Sequence, residues 1–173
     1  LMVTAMQCGW IALAEELSFQ QLTNLPTLYI DLDNGADQSE ITKDGEQLPG
    51  VVNFVAEGFE PITNAPITIK GRGNSTWGLP KKPYQIKFEE KTDMLGMGEA
   101  KKWILLANYW DKTLMRNYIA YNLAMRMGLD YTTECRFVDV VINGVYQGNY
   151  LLTEKVELGT ERINEDEERR RAL

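Results

Sequence analysis

The chain has 173 residues, of which 44% are hydrophobic and 25% are charged, and its formal net charge is −7 at pH 7. This composition predicts one globular domain with a sizeable core, and the negative charge argues against nucleic acid as the main partner. With no histidine and only two distant cysteines, Cys8 and Cys135, the sequence offers no histidine-based chemistry and no metal-ligand spacing.

The first residues are mostly apolar and too few to span a bilayer. Residues 1–14 end in Ala12-Leu13-Ala14 before two glutamates, which is typical of a signal-peptide cleavage site. A buried N-terminal helix explains the same apolarity equally well. We therefore interpret residues 1–25 as a signal-peptide remnant or an N-terminal helix. The signal-peptide reading places the mature protein outside the cytoplasm, and no membrane span is predicted.

Alternation of apolar and polar residues predicts two strands, over residues 26–33 and 51–57. In the first strand, Leu28, Ile30 and Leu32 face inward.

Residues 67–88 contain two more alternating runs, which flank a loop rich in glycine and positive charge. The first run places Ile67, Ile69 and Gly71 on one strand face, and the second has the same pattern. Glycines in the loop let the backbone approach a ligand closely, so the loop suits an anion such as phosphate. A solvated hairpin at a sheet edge explains the same residues. Four cations lie in or beside this loop: Lys70, Arg72, Lys81 and Lys82.

Residues 91–102 are polar and contain glycine, which predicts a surface connection. Residues 103–108 form a continuous apolar run of strand length, which predicts a strand buried on both faces.

One helix is predicted over residues 112–127, with Asp111 as N-cap and Gly128 as its stop. Arg116 in its first turn opposes the helix dipole. This position indicates a carboxylate or phosphate partner, although an exposed arginine without a partner is equally consistent. Residues at helical spacing predict a buried stripe, formed by Leu114, Ile119, Leu123 and Met127 with Met115, Tyr118 and Asn122 alongside.

Asn143-Gly144 is a strong hairpin signal between strands at 137–142 and 145–153, and Glu154 closes the second strand. Residues 161–173 form a charged tail at what we interpret as a truncated end. The order of elements predicts an α+β fold, a mostly antiparallel sheet with one main helix. One helix cannot cover both faces of such a sheet, so we expect one face to be exposed to solvent or to pack against a further element.

Several motifs in this order resemble the CotH family of spore coat protein H-like atypical protein kinases. They are Arg72-Gly73-Asn74-Ser75-Thr76-Trp77, Pro80-Lys81-Lys82-Pro83-Tyr84-Gln85-Ile86-Lys87-Phe88, Leu114-Met115-Arg116-Asn117 and the hairpin at Asn143-Gly144. The resemblance makes residues 26–160 a CotH-like N-terminal lobe, with the fold of the small lobe of a divergent kinase. It also implies a secreted, cell-surface or spore-coat protein that binds ATP and Mg²⁺ and transfers phosphate to protein serines.

By this resemblance, Arg72, Lys81 and Lys87 are candidates for holding the phosphates of ATP. The strand ending at Glu154 borders the adenine, and either Tyr146 or Tyr150 stacks on it, since the two tyrosines share one strand face.

The family's catalytic and Mg²⁺-binding aspartates lie beyond the matched motifs, so no catalytic or metal residue is assigned here and the chain alone is expected to be inactive. The expected partner is a protein substrate or a coat or surface protein. Two alternatives stay open. The first is a noncatalytic coat or surface assembly module. The second is a carbohydrate-associated module that uses aromatic platforms, namely Trp77, Trp103, Trp110 and Tyr109.

Overall fold

The computed structural model describes residues 19–129 and 131–157. The expected signal peptide or helix at the start and the charged tail at 161–173 therefore lie largely or wholly outside the described residues. The helices formed by the described residues include none that is long and apolar enough to cross a membrane. The strands and the helix are β1 Thr27–Leu32, β2 Leu48–Val55, β3 Ile62–Gly71, β4 Tyr84–Asp93, β5 Glu99–Leu106, α1 Arg116–Arg126, β6 Cys135–Ile142 and β7 Val145–Glu154.

The seven strands form a closed barrel in the order β1-β2-β3-β4-β5-β7-β6. Neighbouring strands are antiparallel except at the closing seam, where β1 pairs in parallel with β6 from Thr27 opposite Asp139 to Ile30 opposite Ile142. The predicted α+β fold, a mostly antiparallel sheet with one main helix like a kinase small lobe, is therefore wrong, because the strands close into a barrel. Closure buries the inner face of the sheet on itself, so no helix layer is needed to cover it.

The predicted strand alternation is confirmed in the barrel interior. Leu28 and Ile30 are fully buried, and Leu32 is nearly so. The apolar run in β5 is buried over three consecutive residues, as expected for a strand covered on both faces. These three are Trp103, Ile104 and Leu105.

The predicted hairpin is also confirmed, and its turn closes the barrel seam. Asn143 and Gly144 have φ of 48° and 74°, which the tight turn between β6 and β7 requires. The Asn143 side chain accepts a hydrogen bond from the Leu32 amide at 2.9 Å and donates one to the Ala36 carbonyl at 2.9 Å. One residue therefore forms the turn and ties β6 to the end of β1.

The connection between β4 and β5 differs from the expected surface loop. β4 extends to Asp93 and β5 begins at Glu99, so the connection is only a few residues long. Met94 and Met97 in this connection are buried and join the core. Flexible methionines fill irregular space of this kind.

Helix α1 is shorter than predicted and packs on a different side. It begins at Arg116, with Met115 rather than Asp111 at the N-cap, and none of its residues is buried. Ile119 is 56% exposed and Leu123 is 54% exposed, so these two members of the predicted buried stripe face away from the barrel. Tyr118 and Asn122, which were expected beside them, are partly buried together with Tyr121.

Candidate functional site

A cavity of about 330 Å³ opens between the loop joining β3 to β4 and the segment joining β5 to α1. This volume lies at the lower end of the range of small-molecule sites, roughly 300–1,000 Å³. Three of its lining side chains are cations and one is a carboxylate. We call it the cationic cavity, and its charged residues are Arg72, Lys81, Arg116 and Asp111.

Arg72 is positioned by the end of β3 and lies half-buried in the cavity wall. Its amide donates to the Pro83 carbonyl at 3.1 Å, which holds the two ends of the loop together. Burial lowers the pKa of the guanidinium, and the nearby Tyr121 phenol opposes this shift. The ion pairs found among the described residues do not include Arg72. A half-buried cation without a carboxylate favours binding of an anion.

Lys81 connects the same loop to β7. Its Nζ donates to the Asn149 carbonyl and lies 4.4 Å from the centroid of the Tyr150 ring. Burial lowers the pKa of the Lys81 ammonium, and the negative charge of Asp139 opposes this shift. These contacts hold a positive charge in the lining of the cavity and fix the loop to the barrel.

The loop keeps its shape because a tryptophan lies directly against a glycine. A Cβ at Gly71 would lie 2.4 Å from the Trp77 ring, so only glycine fits there. Gly73 has a φ of 87°, which side chains rarely adopt. The glycines therefore permit close packing of Trp77 and a left-handed turn, whereas the predicted close approach to a ligand stays a prediction.

The opposite wall contains one backbone position with positive φ, Asn108, and a second, Leu114, lies in the same segment before the helix. Their φ values are 49° and 59°, an unusual conformation for leucine in particular. Asn117 Nδ2 donates to Asn108 Oδ1 at 2.8 Å, and Asn108 Nδ2 donates to the Leu114 carbonyl at 3.3 Å. Strain of this kind persists only where surrounding contacts hold it, and it is frequent at binding sites.

Asp111 organises the turn before the helix rather than capping it directly. Its carboxylate accepts hydrogen bonds from Thr113 Oγ1 at 2.7 Å and from the Arg116 amide at 2.8 Å. The Thr113 hydroxyl is the main cause of the lowered pKa of Asp111, followed by the Arg116 amide. Arg116 Nε lies 3.6 Å from Asp111 Oδ1, with the arginine side chain 80% exposed. Because the contact is long and the guanidinium is largely solvated, the pair adds little stability and Arg116 can turn toward a ligand.

The family model described as CotH kinase protein matches residues 69–171, more than half of the chain and every charged residue of the cationic cavity. The chain belongs to this CotH family. The family resemblance seen in the sequence is therefore confirmed. No curated protein matches the chain.

The structure brings two of the phosphate candidates together and separates the third. Arg72 and Lys81 line the cationic cavity of this CotH protein. Lys87 is exposed on β4, in register with Thr68 and Lys102 on the neighbouring strands. Its role in holding phosphate remains a prediction from the resemblance.

The two candidate tyrosines do not share a strand face, contrary to the expectation. Val140 pairs with Gly148 but Val141 pairs with Tyr146, so β7 contains one extra residue between the two tyrosines. Such a bulge reverses the alternation. Tyr146 is 52% exposed and donates to Asp139 Oδ1 at 2.8 Å, whereas Tyr150 is buried in the core and donates to the Lys82 carbonyl at 3.0 Å.

Glu154, the last predicted site residue, is buried at the end of β7. Its Oε2 accepts a hydrogen bond from the Glu134 amide at 2.8 Å. Neither Glu154 nor the two tyrosines line the cationic cavity. Among the described residues, Lys81 links the phosphate candidates to the expected adenine strand, through the Asn149 carbonyl and the Tyr150 ring, although neither of these β7 residues lines the cavity.

Sequence reasoning assigned no binding role to Asn108, Asp111 or Asn117, which line the wall that faces Arg72. Tyr109 and Trp110, named from the sequence only as possible platforms for sugar, line the same cavity. The signal was the dense polar and aromatic segment that follows directly after the apolar run of β5. Polar residues at the end of a buried strand often form sites, because the strand fixes their positions.

The cavity residues do not fit a magnesium ion. Within residues 19–129 and 131–157, no three acidic, cysteine or histidine side chains are placed to hold a metal. Asp111 is the acidic residue of the cavity, and its oxygens already accept hydrogen bonds. We therefore derive no step through Mg²⁺ from this cavity.

Proposed function

We propose that the cationic cavity binds the phosphate groups of ATP. In this proposal the chain is the nucleotide-binding part of a secreted CotH-family kinase that transfers phosphate to protein serines. The observation that carries the proposal is the half-buried guanidinium of Arg72, which lines a cavity with Lys81 and Arg116 and pairs with none of the described carboxylates.

Charge supports a phosphate ligand over a neutral one. The chain carries a net charge of −7, yet this cavity holds three cations and one carboxylate. Charge-assisted hydrogen bonds from arginine to phosphate are frequently bidentate, which gives both strength and orientation. Arg72 and Arg116 lie on different walls, so they can contact different phosphates of one ligand.

In this proposal the 173-residue chain binds ATP but does not by itself catalyse phosphoryl transfer. Phosphoryl transfer needs metal ions and a carboxylate that positions the acceptor hydroxyl. Incubated alone with ATP, Mg²⁺ and a serine-rich peptide, the 173-residue chain should give no phosphopeptide, and clear turnover would contradict this. We place the protein outside the cytoplasm, with a coat or surface protein as its substrate.

Thermal unfolding tests the proposal. At a hundred times its Kd, ATP should add about 2.7 kcal/mol to the free energy of unfolding, which corresponds to roughly 5–10 °C in Tm for a chain of this size. Arg72→Gln removes the central charge and should abolish most of this gain without unfolding the barrel. Lys91→Gln removes an exposed lysine at the far end of β4 and should leave the gain unchanged. Equal gains in all three proteins would refute the role of Arg72.

One observation favours a carbohydrate ligand as a second candidate. Trp110 lines the cavity with 61% of its surface exposed, and exposed indoles are suitable platforms for sugar rings. Trp103 is fully buried and cannot serve in this way. Retention on insoluble polysaccharide that is lost in Trp110→Ala, without any nucleotide-dependent rise in Tm, would favour this candidate. Failure to bind either ligand would favour the assembly module.

A further inference from the structure

Helix α1 is held against the barrel by few side chains, although its first turn forms part of the cationic cavity. None of its 11 residues is buried. The Tyr118 ring lies 5.1 Å from the Phe137 ring on β6, and Tyr121 lies half-buried near Arg72. Isolated helices shorter than about 12–15 residues are marginal in water. The stability of α1 therefore depends on its contacts with the barrel and with the cavity.

A side-chain hydrogen bond joins the start of the helix to the cavity wall. Asn117 in the first turn donates to Asn108, which in turn donates to the Leu114 carbonyl. Both Asn108 and Leu114 have positive φ. Because a backbone in this region relaxes unless its surroundings hold it, the Asn117–Asn108 pair fixes the wall and the helix start in one arrangement.

We propose that an anion bound in the cationic cavity orders helix α1, and that Asn117 transmits this effect through Asn108. This inference rests on the proposed function, because it requires an anion between Arg72 on the loop and Arg116 on the helix. Binding to both walls at once draws the helix start toward the loop. Asn117 is then a positioning residue, whose amide holds Asn108 and keeps the wall closed around the ligand.

Elements held by few buried contacts open most readily, and amide hydrogen exchange measures that opening. We would follow exchange by mass spectrometry in the full 173-residue chain, without ligand and with saturating ATP or inorganic tripolyphosphate. Amides of residues 116–126 should exchange at least tenfold more slowly with either ligand. Amides of residues 57–61, in the exposed turn between β2 and β3, exchange through local opening and do not line the cavity, so they should change less than twofold.

Two asparagine variants on the same helix separate the proposed coupling from a loss of helix stability. Asn117→Ala removes the hydrogen bond to Asn108, so ligand should slow exchange in the helix less than threefold. Asn122 Nδ2 donates to the Tyr118 carbonyl inside the helix at 2.8 Å and does not line the cavity. Asn122→Ala should therefore retain the full ligand-dependent slowing.

The outcomes distinguish this inference from the proposed function. A ligand-dependent rise in Tm with unchanged helix exchange overturns the ordering of α1 and leaves phosphate binding in place. Equal slowing in Asn117→Ala and the wild type overturns the role of Asn117. No rise in Tm with either anion overturns both the inference and the function on which it rests.

Discussion

At the scale of single residues, partial burial of the cationic side chains in the cavity costs hydration free energy. A half-buried guanidinium loses hydration, and the lowered pKa of Arg72 reflects that loss. Lys81 is also partly desolvated, but its hydrogen bond to the Asn149 carbonyl and its contact with the Tyr150 ring offset part of that loss. Arg72 has a neighbouring phenol, Tyr121, rather than a carboxylate. The cost therefore points to a function at this residue more than to fold stability.

The contact between Gly71 and Trp77 gives a prediction at this scale. Gly71→Ala places a methyl group 2.4 Å from the indole ring, which is rigid and cannot swing away as a long aliphatic chain can. Overpacking of this kind should lower the free energy of unfolding by about 1–3 kcal/mol, measured by urea denaturation. It should also weaken ATP binding, because Trp77 supports the loop that carries Arg72.

Gly78, in the loop that follows Gly71, provides the matched control. A Cβ at Gly78 meets nothing within 4 Å, and its φ is not in the left-handed region. Gly78→Ala should change the free energy of unfolding by no more than about 0.5 kcal/mol. If Gly78→Ala proved as costly as Gly71→Ala, the loss would come from loop flexibility and not from the indole contact.

At the scale of elements, local pattern predicted most strands, because alternation and turn residues act over short distances. The β1 face, the buried run of β5 and the Asn143-Gly144 turn depend only on neighbouring residues. Helix α1 shows the limit of this reasoning. Helical spacing revealed an apolar stripe, but Tyr118 and Tyr121 decide which side meets the barrel, and Ile119 and Leu123 face outward.

Only one of the two walls of the candidate site, the loop that contains Arg72 and Lys81, could be predicted from the sequence. The cations and glycines between Arg72 and Lys81 are adjacent in sequence, so their proximity in space was expected. The different faces of Tyr146 and Tyr150 were not predictable, since the bulge in β7 that separates them is not visible in the alternation of the sequence. The second wall, at Asn108 and Asn117, requires the fold of the segment after β5, which depends on strained φ values.

The hairpin at the barrel seam gives a prediction at the scale of elements. Asn143→Gly keeps a residue that tolerates positive φ but removes the hydrogen bonds to Leu32 and Ala36. Asn64 has a similar φ of 49°, and its exposed side chain forms no hydrogen bond with other described residues, so Asn64→Gly is the control. Urea denaturation should show Asn143→Gly less stable than Asn64→Gly by about 1–2 kcal/mol. Equal losses would mean that the side chain does not hold the seam.

At the scale of the whole molecule, barrel closure determines the architecture, and local sequence patterns could not predict it. β1 and β6 are separated by about a hundred residues and pair in parallel, whereas every other neighbour is antiparallel. Closure removes the exposed sheet edges that an open sheet would present. It also frees one helix to lie outside the barrel, where its start borders the cavity.

The cavity is locally positive, although the molecule as a whole is negatively charged. A net charge of −7 repels anions at long range, so binding must come from short-range contacts with Arg72, Lys81 and Arg116. Contacts of this kind scale with the number of phosphates that a ligand presents. The nucleotide base should matter less, since the expected adenine strand does not line the cavity.

Titration calorimetry with AMP, ADP, ATP and inorganic tripolyphosphate tests phosphate binding in the cavity most directly. Affinity should rise from AMP to ATP, tripolyphosphate should bind within about tenfold of ATP, and Arg72→Gln should weaken ATP binding by at least about tenfold, or 1.4 kcal/mol. Lys91→Gln should bind ATP as the wild type does. Binding that is indifferent to phosphate number, or equal in Arg72→Gln and the wild type, would contradict a phosphate site in the cationic cavity.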